Sequence, residues 1–209
     1  DIMKMARRVN RRESIYLLSN SGPDSTIIDG NMNGAVIREL SKNMHFEGFT
    51  ITGGSTYDDY YVSWQLGAIG VYNSEFFRVE SITIKNVIFR GNQLDLNFAY
   101  GNGNNSYLNN PLSVIVSNCT FICESNDIPN IRMEGEGNYT IINSIFYTED
   151  DNNIFLIPWS NDEGYYNMNL NNSIISPGIN VPDWFFNSGG NIVTDPLFLS
   201  LIHISEPTR

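Results

Sequence analysis

Carboxylate side chains recur where predicted short strands end and the chain turns toward the next repeat. The last two of these turns follow predicted strands that lie next to each other. The acids of one turn should therefore lie about one strand spacing from the acids of the other. Calcium takes about six to eight oxygen ligands, which such a set could supply. The alternative is an acidic rim solvated by water. The candidate calcium ligands are Glu124, Asp127, Glu149, Asp150 and Asp151.

Aromatic side chains flank acidic residues in two other predicted loops. Rings beside carboxylates suit the faces and hydroxyl groups of sugars, although Tyr and Trp also pack long loops onto a protein body. Both stretches are therefore candidate glycan-binding loops. They contain Tyr57, Asp58, Asp59, Tyr60, Tyr61 and Trp64 in the first, and Trp159, Asp162, Glu163, Tyr165 and Tyr166 in the second.

Residues typical of catalytic centres are scarce. His45 lies between two apolar strand residues and is expected to point outward, which does not favour a Ser-His-Asp triad. Cys119 and Cys123 share the alternation of a core phenylalanine and are expected to be buried thiols. We predict no catalytic residue. Arg132, expected to point outward, is the one candidate for the base of a lyase.

The net charge of the chain limits the classes of molecule that it can bind. Residues 13–200 contain six basic and 21 acidic residues, a net charge of −15. This body should repel nucleic acid and anionic membrane surfaces, and it is compatible with cations or neutral glycans. No run approaches 18 apolar residues, so membrane insertion is not expected. We expect a monomer that binds polysaccharide.

A repeat organises these residues. Its five anchors are Gly48, Asn86, Asn118, Asn143 and Asn172. The residues two and four before each anchor are apolar, and those one and three after it are apolar except for two serines. Alternation with a period of two predicts a strand on each side. The alternation slips by one residue at the anchor, which keeps both strands facing one interior only if the chain bends there.

Asparagine and glycine tolerate the left-handed bend that the slip requires. Each unit is therefore predicted as a strand, a one-residue bend and a strand, with asparagine side chains that could hydrogen-bond along the stack. A parallel β-helix satisfies this pattern, and a β-sandwich is the alternative that does not need the slip. Further strands are predicted at 15–18, 26–29, 36–37, 68–72, 94–99, 131–133 and 154–157.

Three segments resemble bacterial right-handed parallel β-helix repeat proteins of the pectin-lyase-like superfamily. Residues 25–31 (Ser-Thr-Ile-Ile-Asp-Gly-Asn) and 46–54 (Phe-Glu-Gly-Phe-Thr-Ile-Thr-Gly-Gly) resemble opening coils of that group. Residues 190–198 resemble its closing segment, Gly-Asn-Ile-x-x-Asp-Pro-x-Phe. The resemblance implies an all-β, right-handed parallel β-helix (solenoid), a secreted or cell-surface location, and a lyase, hydrolase or non-catalytic role.

The segments at both ends fit no coil. We expect residues 1–12 to be an unassigned leader, 13–199 the β-helix domain, and 200–209 a non-native tail that resembles translated adapter sequence. Residues 1–12 lack the apolar region of a signal peptide, so the sequence is interpreted as truncated at its N-terminus.

The family's catalytic motifs are missing from the sequence. It contains no Asn-Thr-Asp, Gly-His-Gly and Arg-Ile-Lys set and no Arg-x-Pro-x-x-Arg. We therefore favour a non-catalytic extracellular scaffold or glycan-binding module, with calcium as the only expected cofactor. The alternative is a fragment of a polysaccharide lyase or glycoside hydrolase that acts on glycans containing uronic acid.

Overall fold

The chain is built from short strands joined by tight corners. A computed structural model describes residues 14–38, 41–55, 67–73, 79–100, 112–123, 131–133, 137–148, 166–177, 179 and 189–196. Within these residues there is no helix. The strands, in chain order, are β1 (Ser14–Leu18), β2 (Ile27–Asp29), β3 (Ile37–Arg38), β4 (Asn43–Glu47), β5 (Thr50–Thr52), β6 (Ile69–Asn73), β7 (Ser81–Lys85), β8 (Ile88–Arg90), β9 (Leu96–Tyr100), β10 (Leu112–Ser117), β11 (Thr120–Cys123), β12 (Ile131–Met133), β13 (Gly137–Ile142), β14 (Ile145–Thr148), β15 (Tyr166–Asn171), β16 (Ile174–Ile175) and β17 (Ile192–Val193).

The strands form three sheets, and up to β14 successive strands belong to them in a fixed repeating order. Sheet A has the order β1-β4-β7-β10-β13-β15, sheet B the order β17-β16-β14-β11-β8-β5-β2, and sheet C the order β12-β9-β6-β3. Every strand pairing in the described ranges is parallel. The fold is therefore an all-β parallel β-solenoid, as predicted, and a sandwich of antiparallel sheets is excluded.

The five anchors form the corner between sheets A and B. All five have positive φ angles: 84° at Gly48, 51° at Asn86, 53° at Asn118, 50° at Asn143 and 50° at Asn172. The predicted left-handed bend is confirmed. Since these residue types tolerate that conformation best, a single residue turns the chain from one sheet to the next.

The core lies between the sheets. All four inward positions around each anchor are buried, with exposed fractions of 7% or less. Sheet B contributes a column of stacked rings in which Phe121 lies 4.9 Å from Phe89 and 4.8 Å from Phe146, centroid to centroid. The in-register parallel pairing of β8, β11 and β14 places these rings above one another.

The corner asparagines do not hydrogen-bond to one another through their side chains in the described residues. The side chains of Asn118, Asn143 and Asn172 are exposed, because the left-handed bend turns them toward solvent. The expectation that stacked asparagine side chains hydrogen-bond along the corner was therefore wrong. The Asn86 side chain donates to Glu47 instead, and two further hydrogen-bonded side chains lie one residue after the anchor and face inward, where the sequence pattern has its two serines.

Those serines satisfy buried backbone groups. Ser144 Oγ donates to the Ile142 carbonyl (2.9 Å) and accepts the Cys119 N–H (3.3 Å). Ser173 Oγ likewise donates to the Asn171 carbonyl (3.0 Å) and accepts the Ser144 N–H (3.2 Å). Each hydroxyl thus joins two adjacent coils, which explains why a polar residue is tolerated in the core at 1% exposure.

Replacement of Ser173 by Ala should lower the free energy of unfolding by about 1–3 kcal/mol, because it removes a partner of the buried Ser144 N–H. Urea unfolding followed by circular dichroism measures the change. Ser113→Ala is the matched control on the partly exposed outer face, and it should change stability by less than about 0.5 kcal/mol. Equal losses in the two variants would contradict the role given to Ser173.

The further strands predicted at 36–37, 68–72, 94–99 and 131–133 also occur. Sheet C contains β3, β6, β9 and β12, within two residues of the predicted bounds. The predicted strand at 154–157 lies outside the described residues, as do residues 1–12 and 200–209.

Candidate functional site

Most of the predicted site residues lie outside the described part of the chain. This holds for the first aromatic loop, for the second loop except Tyr166, and for all five candidate calcium ligands. Tyr166 begins β15, and only its backbone is described. Among the described residues, no three His, Cys, Asp or Glu side chains are grouped so that they could hold a metal ion.

Arg132 lies in β12 of sheet C and is partly exposed, next to the fully buried Ile131. Its register partner is Asn97, which pairs with Gly70, and Gly70 pairs with Arg38. Two arginines therefore share one column of sheet C. Asn97 is itself fully buried.

The outer face of sheet A is a described surface with a regular pattern. It carries three outward residues from each of six in-register strands, in columns that run along the stack. On the last three strands these residues are uncharged. They are Ser113, Ile115, Ser117, Asn138, Thr140, Ile142, Asn167, Asn169 and Asn171.

The charged side chains on this face, together with His45, lie on the second and third strands, β4 and β7, and bind one another. Glu47 of β4 accepts a hydrogen bond from His45 Nε2 (3.1 Å). It also forms an ion pair with Lys85 Nζ of β7 (3.0 Å). The Asn86 amide donates to the same carboxylate (3.2 Å). Since an ionised carboxylate only accepts, the His45 Nε2 atom carries the proton. The face thus presents little unbalanced charge.

The Lys85 ammonium, and after it the His45 ring, lower the pKa of Glu47 below its ordinary value of 4.5. A lowered pKa in the folded state means that the ionised carboxylate stabilises the fold. This stabilisation is complete above pH 4.5 and is lost as the pH falls through the lower folded value.

The stability difference between wild type and Glu47→Gln should therefore be constant above pH 4.5 and shrink at lower pH. Urea unfolding across that range measures it. Lys85→Met should reduce the same pH dependence, because it removes the largest cause of the shift. An acid dependence of stability that neither substitution alters would refute the pairing.

Tyr16 adds an aromatic ring to the start of this face. Its side chain is 70% exposed, and its ring lies 5.7 Å from that of His45, the register partner on β4. Ile115 is 41% exposed two strands beyond β4, across β7. Apolar groups thus stand among hydroxyl and amide groups along one column.

The prediction for Cys119 is confirmed. The side chain is 1% exposed, and burial raises the pKa of its thiol to about 12. Such a thiol remains protonated at neutral pH and is not a nucleophile.

The outer face of sheet A does not follow from the apolar alternation, which marks only the inward positions of the repeat. The sequence signal for this face lies one, three and five residues before each anchor, where Ser, Thr and Asn dominate in the later repeats.

Comparison with protein families, curated proteins and solved structures found no match to this chain. The described residues include no helix that is long and apolar enough to cross a membrane.

Proposed function

We propose that the protein is a non-catalytic extracellular scaffold that binds a neutral glycan along the outer face of sheet A. The uncharged outer surface of β10, β13 and β15 carries this proposal. Its hydroxyl and amide groups can donate to and accept from sugar hydroxyls, and Tyr16 and Ile115 offer apolar contact.

Electrostatics favour a neutral glycan over a uronate polymer. The net charge of −15 over residues 13–200 repels a polyanion. Two described lysines are also engaged: Lys85 with Glu47, and Lys42 with Glu80 at 2.6 Å. They are not available as unpaired cations for a uronate carboxylate.

The proposal extends to location and family. Because the sequence resembles pectin-lyase-like proteins of bacteria, a group that contains many surface proteins, we propose a secreted or cell-surface monomer. The aromatic clusters at 57–64 and 159–166 remain candidates for stacking on the same glycan, and the acids at 124–127 and 149–151 remain candidates for calcium.

A charge placed on the neutral face tests the proposal. Asn138 and Asn167 are exposed register partners on β13 and β15. Asn138→Glu with Asn167→Glu should weaken binding to neutral polysaccharides about tenfold or more, since a buried carboxylate without a partner is costly. Retention on columns of immobilised mannan, xylan and cellulose measures the loss.

Thr194→Glu is the control, because Thr194 is exposed and follows β17 in sheet B, away from the proposed face. It should bind as wild type does. Equal retention of the double variant and wild type would remove sheet A from the proposal.

A lyase acting on uronic acid remains the second candidate. Arg38 and Arg132 lie on one column of sheet C, which favours it, because guanidinium groups form strong paired hydrogen bonds with carboxylates such as those of a polyuronate. Formation of unsaturated product from polygalacturonate that is lost in Arg132→Ala would support this alternative.

A further inference from the structure

We propose that a groove at the corner between sheets A and B is a subsite for one end of a neutral oligosaccharide. This inference rests on the glycan-binding function proposed above and assigns it a specific place. The corner groove has a volume of about 440 Å³, within the range of about 300–1,000 Å³ typical of small-molecule sites. Its lining includes Pro23, Glu47, Asn86, Ile88, Asn118 and Thr120.

A loop closes one end of the corner groove. The connection from β1 to β2 takes eight residues, 19–26, whereas each later corner between sheets A and B takes two. The loop is fixed by its own hydrogen bonds: Ser19 Oγ accepts the N–H of Ser21 (3.2 Å) and of Gly22 (3.1 Å). The Pro23 carbonyl accepts the Thr50 hydroxyl (2.8 Å). The loop therefore stands as an end wall.

Gly48 lies in the groove where the loop meets the corner. It is the one anchor without a side chain, and a Cβ atom there would lie 3.2 Å from Ser19 Cβ and 3.3 Å from the Ser19 carbonyl oxygen. Glycine therefore allows the wall to approach the corner. Beyond it the groove passes Asn86 and Asn118, so that it spans four coils, or about 14 Å.

The polar groups of the groove have a defined orientation. The Asn86 amide nitrogen donates to Glu47 Oε1 at 3.2 Å, so its carbonyl oxygen lies on the other side of the planar group as an acceptor. Asn118 is exposed at the next corner and offers both a donor and an acceptor. Thr120 adds a hydroxyl on the sheet B side.

This arrangement suits a pyranose. Its hydroxyl groups need donors and acceptors around the ring, and its C–H faces need apolar contact, which Pro23 and Ile88 supply. The Glu47 carboxylate at the margin disfavours an acidic sugar. The groove adjoins the outer face of sheet A through Glu47, so a chain bound to that face can end at the wall.

The test removes side chains without disturbing the bend. Asn118→Gly keeps a residue that adopts a positive φ freely, and Asn143→Gly makes the same change one coil farther along, outside the groove. Calorimetric titration of the full chain with cello-, manno- and xylo-oligosaccharides gives the affinities. The best-bound oligosaccharide should bind Asn118→Gly about fivefold to tenfold more weakly, and Asn143→Gly as wild type does.

Thr120→Val provides a second variant of nearly equal size and should also weaken binding. Wild-type affinity in both Asn118→Gly and Thr120→Val, or an equal loss in Asn143→Gly, would overturn the subsite while leaving glycan binding by sheet A intact. A wild-type chain that binds none of the neutral oligosaccharides or polysaccharides would instead overturn the proposed function, and the subsite with it.

Discussion

Replacement of Phe121 by Ala is expected to lower the free energy of unfolding by about 4–5 kcal/mol. The side chain is fully buried, and emptying such a site usually costs about 3–5 kcal/mol. Phe121 also stacks on rings both above and below it, with interplanar angles of 6° and 3°, so two aromatic contacts are lost at once. Urea unfolding followed by circular dichroism measures the change.

Ile122 is the matched control for this substitution. It is the next residue of β11, faces the other way and is partly exposed. Ile122→Ala should cost about 1 kcal/mol, because less apolar area leaves contact with protein. A smaller loss for Phe121→Ala than for Ile122→Ala would mean that the inward and outward faces of sheet B had been exchanged.

Replacement of Asn118 by Val is expected to cost about 2 kcal/mol. Asn118 has a φ of 53°, a conformation that costs an ordinary L-residue about 1–2 kcal/mol and that β-branched residues resist most. The loss should come from the backbone alone, because the asparagine side chain is exposed and makes no hydrogen bond to the other corner asparagines among the described residues.

Asn138→Val makes the same chemical change in the middle of a strand. Asn138 is exposed in β13, where valine is favoured, so stability should stay constant or rise slightly. Thermal unfolding of both variants compares the two positions. Equal effects would show that the corner does not depend on the left-handed conformation.

The interior of this fold could be predicted because one constraint repeats in every coil. Phe46 and Phe49 illustrate it: they flank Gly48 at positions that would face opposite ways in a straight strand, and both are buried. Only a bend at the anchor reconciles the two. The same reasoning placed Cys119 inside.

The serines at 144 and 173 could not be explained by apolar alternation. Their placement follows from backbone groups that the corner leaves to be satisfied, and such groups are visible only once adjacent coils are stacked. The expected contact between corner asparagines failed for a related reason. A positive φ fixes the direction of the side chain, and here that direction is outward.

The candidate site was less predictable than the fold. Loop residues such as Tyr57 and Asp150 obey no repeat, so their neighbours do not follow from alternation, and they lie outside the described residues. The outer face of sheet A does follow the repeat. Asn138 and Asn167, for example, are both five residues before an anchor and are register partners. The handedness of the coil stays a prediction from the family resemblance.

Affinity electrophoresis of the wild-type chain tests the central claim most directly. The protein is run through gels that contain a neutral polysaccharide or polygalacturonate, and each polymer is then assayed for unsaturated product. We predict retarded migration in at least one neutral glycan, unchanged migration in polygalacturonate, and no product from either. Retardation by polygalacturonate alone, together with unsaturated product, would contradict the account and identify a lyase.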